Sequence, residues 1–198
     1  MENIRDTKDI ELMANGDPDA FARLYSFYRD KIYAFAYRMV GDQAKAEDIM
    51  QESFLFLIQN PERYDPAKSS LLTFLCVIAR NKIISYFRRQ GIEVEDLFNE
   101  DEASEWIDEN GIDPLSLVLS QELSTKINEA IAKLPALQRE VIVLREFHDL
   151  SYEEISEVVG TQLNVVKARI HRARQNLSKT LAPYLFAKGV HCYELQRS

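Results

Sequence analysis

Cysteine is nearly absent: Cys76 and Cys192 are the only two in 198 residues, too few for a disulfide framework and suited to a reducing compartment. No apolar run approaches the roughly 20 residues that a membrane-crossing helix needs. The opening MENIRDTKDIELM lacks the apolar core of a signal peptide. These absences point to a cytoplasmic protein without membrane insertion. Glycine and proline are scarce, six each, and β-branched alternation is rare, which argues for an all-α fold. Gly-rich phosphate loops, HExxH and any plausible catalytic triad are also missing, and His148, His171 and His191 are scattered. An enzyme is not expected, nor a metal or other cofactor. His191-Cys192 reads as plain tail, and Cys76, inside an apolar helix, as a small core residue.

Positive charge is missing from one place. Residues 91–122 hold 11 acids and no Lys or Arg, whereas residues 1–90 are neutral and residues 123–198 carry a net +3. The acidic stretch GIEVEDLFNEDEASEWIDENGIDP has no useful helical stripe and reads as a linker between two small helical domains. The bounds expected are 8–90, a linker at 91–121, a second domain at 122–182 and a tail at 183–198.

Against this acidic background, four bases crowd into eight positions: Lys167, Arg169, Arg172 and Arg174. Ser151-Tyr-Glu-Glu154 is a capping box that starts a helix ending at Gly160. A second helix begins near Asn164, with Val166, Ile170, Ala173, Leu177 and Leu181 on its apolar side. Asn164, Lys167, Ala168, His171, Arg172 and Gln175 fall opposite, flanked by Arg169 and Arg174. A short turn joining two such helices is the layout of a helix-turn-helix, whose second helix enters the major groove while flanking cations bind phosphate. Upstream, STKINEAIAKLPALQREVIVLREFHDL supplies two more amphipathic helices, broken at Pro135, to cover the apolar side.

In the N-terminal part, Asp17-Pro18 opens a long aromatic-rich helix that ends before Gly41. Asp42 caps QAKAEDIMQESFLFLI, where Ala46, Met50, Ser53 and Leu57 face inward and Asp48, Gln51, Glu52 and Leu55 face outward. An exposed leucine among acids and an amide suggests a protein interface. The third long helix, SSLLTFLCVIARNKIISYFRR, is apolar on most sides. Ser70, Phe74, Asn81, Ser85 and Arg88 form its one polar stripe, within about 60° of each other, suited to hydrogen-bonding and stacking an unpaired base.

The segments AEDIMQESF, LLTFLCVIARNKIISYFRR, LREFHDLSYEEISEVVG and VVKARIHRARQNL, in this order, resemble a bacterial RNA polymerase sigma factor of the extracytoplasmic-function (ECF) branch of the sigma-70 family. The resemblance spans roughly residues 8–182. It implies a two-domain factor that binds core RNA polymerase and directs promoter-specific initiation, with an anti-sigma factor as a further partner. It assigns the polymerase clamp contact to Asp48, Gln51, Glu52 and Leu55. It assigns the −10 element to Phe74, Asn81, Ser85 and Arg88, with the loop NPERYDPAKSS, including Tyr64, holding a flipped base. The −35 element falls to Asn164, Lys167, Ala168, Arg169, His171, Arg172 and Arg174, and the second domain also meets the polymerase flap. The acidic linker is expected to thread the polymerase cleft. A DNA-binding regulator of another class would account for the C-terminal half but not for the Asp48-Gln51-Glu52 face. A sigma-mimicking decoy would tend to lose the basic helix that is kept here.

Overall fold

The computed structural model describes residues 2–91 and 121–187. The acidic segment 92–120, with Leu97, Phe98, Trp106 and Ile107, and the tail 188–198, with His191 and Cys192, lie outside the described residues. Among the described residues the chain is helical and contains no strand.

The first half comprises α1 (Glu2–Ala14), α2 (Pro18–Val40), α3 (Gln43–Gln59), a 3-10 turn (Pro61–Arg63) and α4 (Leu71–Arg89). Side-chain caps start three of these helices. Asp17 accepts from the Asp19 N–H and Asp42 from the Lys45 N–H, each at 2.9 Å, and Ser70 accepts from the Thr73 N–H at 3.2 Å. Each cap satisfies an otherwise orphaned donor and contributes about 1 kcal/mol. Leu24, Ile32 and Phe35 of α2 pack with Phe54 and Leu57 of α3 and with Leu71, Leu75 and Ile83 of α4. Cys76 is a buried free thiol, pushed up out of its ordinary range by that burial.

Helix α1 begins at Glu2, ahead of the bound at residue 8 drawn from the sequence. It buries Ile10 and Met13 in the common core, and buried acids tie it further to α2. Tyr28 donates its hydroxyl to Asp6 at 2.5 Å, and Arg23 donates to Asp9 at 2.6 Å. The Arg23 hydrogen bond holds the Asp9 carboxyl below the usual carboxylate range.

The second half comprises α5 (Gln121–Ala132), α6 (Ala136–His148), α7 (Tyr152–Val159) and α8 (Leu163–Ala187). Helix α8 packs against α5, α6 and α7, and its Val166, Ile170, Ala173 and Leu177 are buried as their spacing requires.

The two halves touch. Helix α4 packs on α7, and α2 packs on α5 and α6, so buried side chains from both halves merge into one cluster. Much of this contact is polar. Arg139 donates to the Met39 carbonyl at 3.3 Å, the Arg38 guanidinium sits 3.9 Å above the Phe147 ring, and His148 Nε2 lies 2.9 Å from the Lys31 carbonyl. Polar contacts of this kind are characteristic of interfaces between units that can part.

Candidate polymerase and nucleic-acid interface

On α3 the outward stripe is as the spacing requires. Asp48, Gln51 and Leu55 are exposed and Glu52 is half-exposed. Asp48 pairs with Lys45 at 3.0 Å, and Glu52 reaches across to Lys82 of α4 at 2.9 Å. Leu55 is 52% exposed, and Ile58, one turn further on, is 40% exposed. Positions 48, 51, 55 and 58 therefore form one continuous ridge with an acidic start and an apolar end. Ile58 was missed in the sequence; the signal was its three-residue step from Leu55.

On α4, Asn81, Ser85 and Arg88 are exposed on one side. Ser85 donates its hydroxyl to the Asn81 carbonyl at 2.8 Å, and Arg89 Nε donates to the Ser85 carbonyl at 3.2 Å. The start of the same stripe is turned inward. Phe74 is half-buried with its ring 5.6 Å from that of Tyr64, which is itself buried rather than presented by its loop. Burial raises the Tyr64 phenol to about 12. The loop is tied down by Asp65, which accepts from the Ala67 N–H at 3.0 Å and pairs with Lys68 at 3.2 Å. Ser70 is engaged by Glu154 of α7, at 3.2 Å.

The helix-turn-helix is built by local chemistry. Asp149, at φ 54°, ends α6 in the left-handed region, and Arg145 donates to the Leu150 carbonyl at 2.9 Å. The capping box is complete: the Glu154 N–H donates to Ser151 Oγ at 3.2 Å, and the Ser151 N–H donates to the Glu154 carboxylate at 2.9 Å. Gly160 closes α7 at φ 66°. A Cβ there would meet nothing within 4 Å, so the backbone angle alone calls for glycine.

Helix α8 then presents Asn164, His171 and Gln175 as exposed side chains, with Lys167 and Arg172 half-buried beside them. Gln175 Nε2 and His171 Nε2 lie 2.9 Å apart. The Tyr152 ring is faced by two cations, Arg145 at 5.1 Å and Lys167 at 5.9 Å, which thickens the positive charge at the start of α8. Arg145 was not picked out in the sequence because it lies on α6, two helices before α8.

Two residues expected on this surface or its flank are buried, and a third is ion-paired. Ala168 is 6% exposed and Arg169 8% exposed, because α8 is flanked by three helices and its buried arc is wider than one apolar stripe. Arg174 is half-buried and paired with Glu146 at 2.9 Å.

Arg169 belongs instead to a buried charge cluster. Glu140 of α6 is 0% exposed. It accepts from Arg80 Nε of α4 at 2.5 Å, and Arg169 acts on it electrostatically. Burial pushes the Glu140 carboxyl up, and the two guanidiniums pull it back. At the other end of the contact, Glu154 accepts from the Thr73 hydroxyl at 3.0 Å as well as from Ser70 and Ser151. Burial acts to raise the Glu154 carboxyl, but these hydrogen bonds prevail and hold it below the usual carboxylate range.

A core-packed α2–α4 unit with an exposed acidic-apolar ridge, followed by a capped helix-turn-helix, defines a two-part transcription factor. The sigma-70 region 2 family matches residues 24–92, and the sigma-70 region 4 family matches residues 124–177. The ECF RNA polymerase sigma factor SigW of Bacillus subtilis is 37% identical over 88% of this chain and 95% of its own length. The RNA polymerase sigma-H factor of Pseudomonas aeruginosa is 31% identical, covering 91% of this chain and 96% of that protein. The sigma factor RpoE of Bartonella quintana, solved in complex with the anti-sigma factor NepR, matches with a TM-score of 0.61 at 27% identity, over 82% of this chain and 96% of RpoE. The chain belongs to the sigma-70 family of RNA polymerase sigma factors, in its ECF branch. No helix among the described residues is long and apolar enough to cross a membrane.

Proposed function

We propose a division of labour among three faces of this sigma factor as it directs core RNA polymerase to promoters in the bacterial cytoplasm. The α3 ridge of Asp48, Gln51, Glu52, Leu55 and Ile58 docks on the clamp of the largest polymerase subunit. Asn81, Ser85 and Arg88 of α4 read the −10 element. Asn164, Lys167, His171 and Arg172 of α8 read the −35 element, while the second half also meets the polymerase flap. The acidic segment 91–121 links the two units through the polymerase cleft.

One observation carries this reading: the apolar ridge and the two polar faces stand on different helices, so polymerase and DNA can be bound together. The net charge of −8 supports it further, because a free acidic chain is weakly attracted to duplex DNA and needs the polymerase to bring it there. Control by an anti-sigma factor is supported by likeness to RpoE, which was captured with one. The test is run-off transcription with core polymerase on a randomised promoter library. A two-element consensus recovered only when both proteins are present is expected. Tight sequence-specific duplex binding by the free chain would overturn the reading.

A further inference from the structure

Each acid of the α3 ridge already has a lysine. Asp48 pairs with Lys45, one turn away on the same helix, and Glu52 pairs with Lys82 of α4 at 2.9 Å. The second pair differs in what it joins. Glu52 belongs to the ridge read as docking on polymerase, and Lys82 directly follows Asn81 on the helix read as meeting the −10 element. The Lys82 side chain is 34% exposed and that of Glu52 44%, so an incoming partner can reach either without disturbing the core.

Lys82 also has a place on the nucleic-acid side. At 3.6 residues per turn it lies about 60° from Ser85 and about 20° from Arg89 around α4. Arg89 is exposed and leans back one turn, donating to the Ser85 carbonyl at 3.2 Å. Asn81, Ser85 and Arg88 thus occupy the middle of the polar side, and Lys82 and Arg89 form one edge of it. Amides and hydroxyls read base edges, whereas cations at the rim of such a face hold phosphates. An ammonium on a flexible four-carbon stem suits that task, and in the free chain a carboxylate occupies it.

The ridge and the rim therefore compete for one ion pair. A ridge carrying Asp48 and Glu52 complements a basic surface, and a cation there that claims Glu52 leaves Lys82 without its anion. A strand laid along α4 supplies a phosphate instead. Conversely, a phosphate that takes Lys82 leaves Glu52 to the polymerase. Each binding step removes the other's competitor, and such coupling is reciprocal. We propose that Lys82 is a promoter-backbone contact whose exchange of Glu52 for a phosphate ties polymerase docking to −10 binding. This rests on the readings of the α3 ridge and of α4 given above.

The test compares wild type with Lys82→Gln, using the full chain, core polymerase and the promoter recovered by run-off selection, mismatched across its −10 element. Lys82→Gln frees Glu52 and is expected to bind core polymerase about two- to fivefold more tightly in the absence of DNA, the range of a part-exposed ion pair. As holoenzyme, the same variant is expected to hold the promoter a few-fold more weakly, with a salt slope smaller by about one. A lysine that merely stabilised the fold would lower both affinities when removed. Core affinity that fails to rise, or a salt slope at the wild-type value, overturns the proposal. Two further variants separate it from the readings beneath it. If Glu52→Gln binds core polymerase as wild type, the ridge reading falls, and the coupling with it. If Asn81→Ala and Lys82→Gln both bind the promoter as wild type, the promoter-facing reading of α4 falls, and the coupling again with it. If Glu52→Gln and Asn81→Ala are both defective while Lys82→Gln gains no core affinity, only the coupling falls.

Discussion

Helices α4 and α8 each turn a polar face toward solvent, but they are supported differently. Helix α4 is sandwiched by α2, α3 and α7, and only its last two turns, from Asn81 to Arg89, open a continuous polar side. Helix α8 rests on α5, α6 and α7 and keeps a narrow exposed line from Asn164 to Gln175. On both helices arginines face opposite fates within a turn or two. Arg88 is exposed where Arg80 is tied to Glu140, and Arg172 stands beside the exposed line where Arg169 is buried and Arg174 is tied to Glu146. What separates them is the presence of an acid on the packed neighbour, not the residue type.

The sharpest break of this comparison is Arg169→Ala. Removing a buried cation from beside Glu140 is expected to cost about 2 kcal/mol of stability, read as a lower urea midpoint at unchanged slope. Promoter preference per folded molecule stays the same. A changed −35 preference with an unchanged midpoint would return Arg169 to the reading surface.

Arg172→Ala is expected to do the reverse. Loss of a bidentate contact to guanine lowers promoter-specific transcription by about 1–3 kcal/mol, or roughly 5- to 150-fold, with core binding intact. Arg174→Ala serves as its partner test: with its charge held by Glu146, it is expected to shift output less than threefold and preference not at all. Run-off yields across a panel of −35 variants distinguish the two. Equal profiles for both alanine variants would mean that the ion pair to Glu146 opens on DNA.

Most of the helix map was legible because it is written in local chemistry. The Asp17, Asp42 and Ser151 caps, the left-handed Gly160 and the break at Pro135 all act within four residues of themselves. The contact between halves was not legible, since Glu140 is 60 residues from Arg80 and a buried acid leaves no hydrophobic signal. Part of the attachment of α1 was hidden for the same reason, since Asp6 and Asp9 are buried beside Ile10 and Met13. For Ala168 and Arg169 the helical wheel gave the angle but not the number of neighbouring helices, which sets how wide the buried arc is.

Asn81→Ala probes the exposed end of α4. The amide is at the surface, so thermal stability should move by no more than about 0.5 kcal/mol. Transcription from promoters that depend on the −10 element should fall about tenfold, matching one lost base contact. A large loss of stability with normal activity per folded molecule would make Asn81 a structural amide instead, and α4 would then differ from α8 in kind.

The smallest expected effect lies between the halves, at His148. The ring sits at the end of α6, edge-on to Phe35 with centroids 5.9 Å apart, and Nε2 lies 2.9 Å from the Lys31 carbonyl. A helix C-terminus favours an imidazolium, but burial opposes it, and the nearby Arg38 and Lys31 charges add to that opposition. The net result is that the His148 pKa is lowered from its ordinary 6.5. Folded molecules therefore stay neutral where unfolded chains already bind a proton. Stability is intact above about pH 6.5 and is lost as the pH falls from there toward the lower folded value, with a slope of at most about 1.4 kcal/mol per pH unit. Glu140, shifted upward by burial, works in the opposite direction, so the wild type alone cannot isolate the histidine. His148→Gln keeps a donor for the Lys31 carbonyl and removes the titration. On going from about pH 7.5 to 5.5, the urea midpoint should move further toward lower urea for wild type than for this variant. Equal shifts would mean that His148 titrates alike in both states, and that the contact between α2 and α6 opens before acid reaches it.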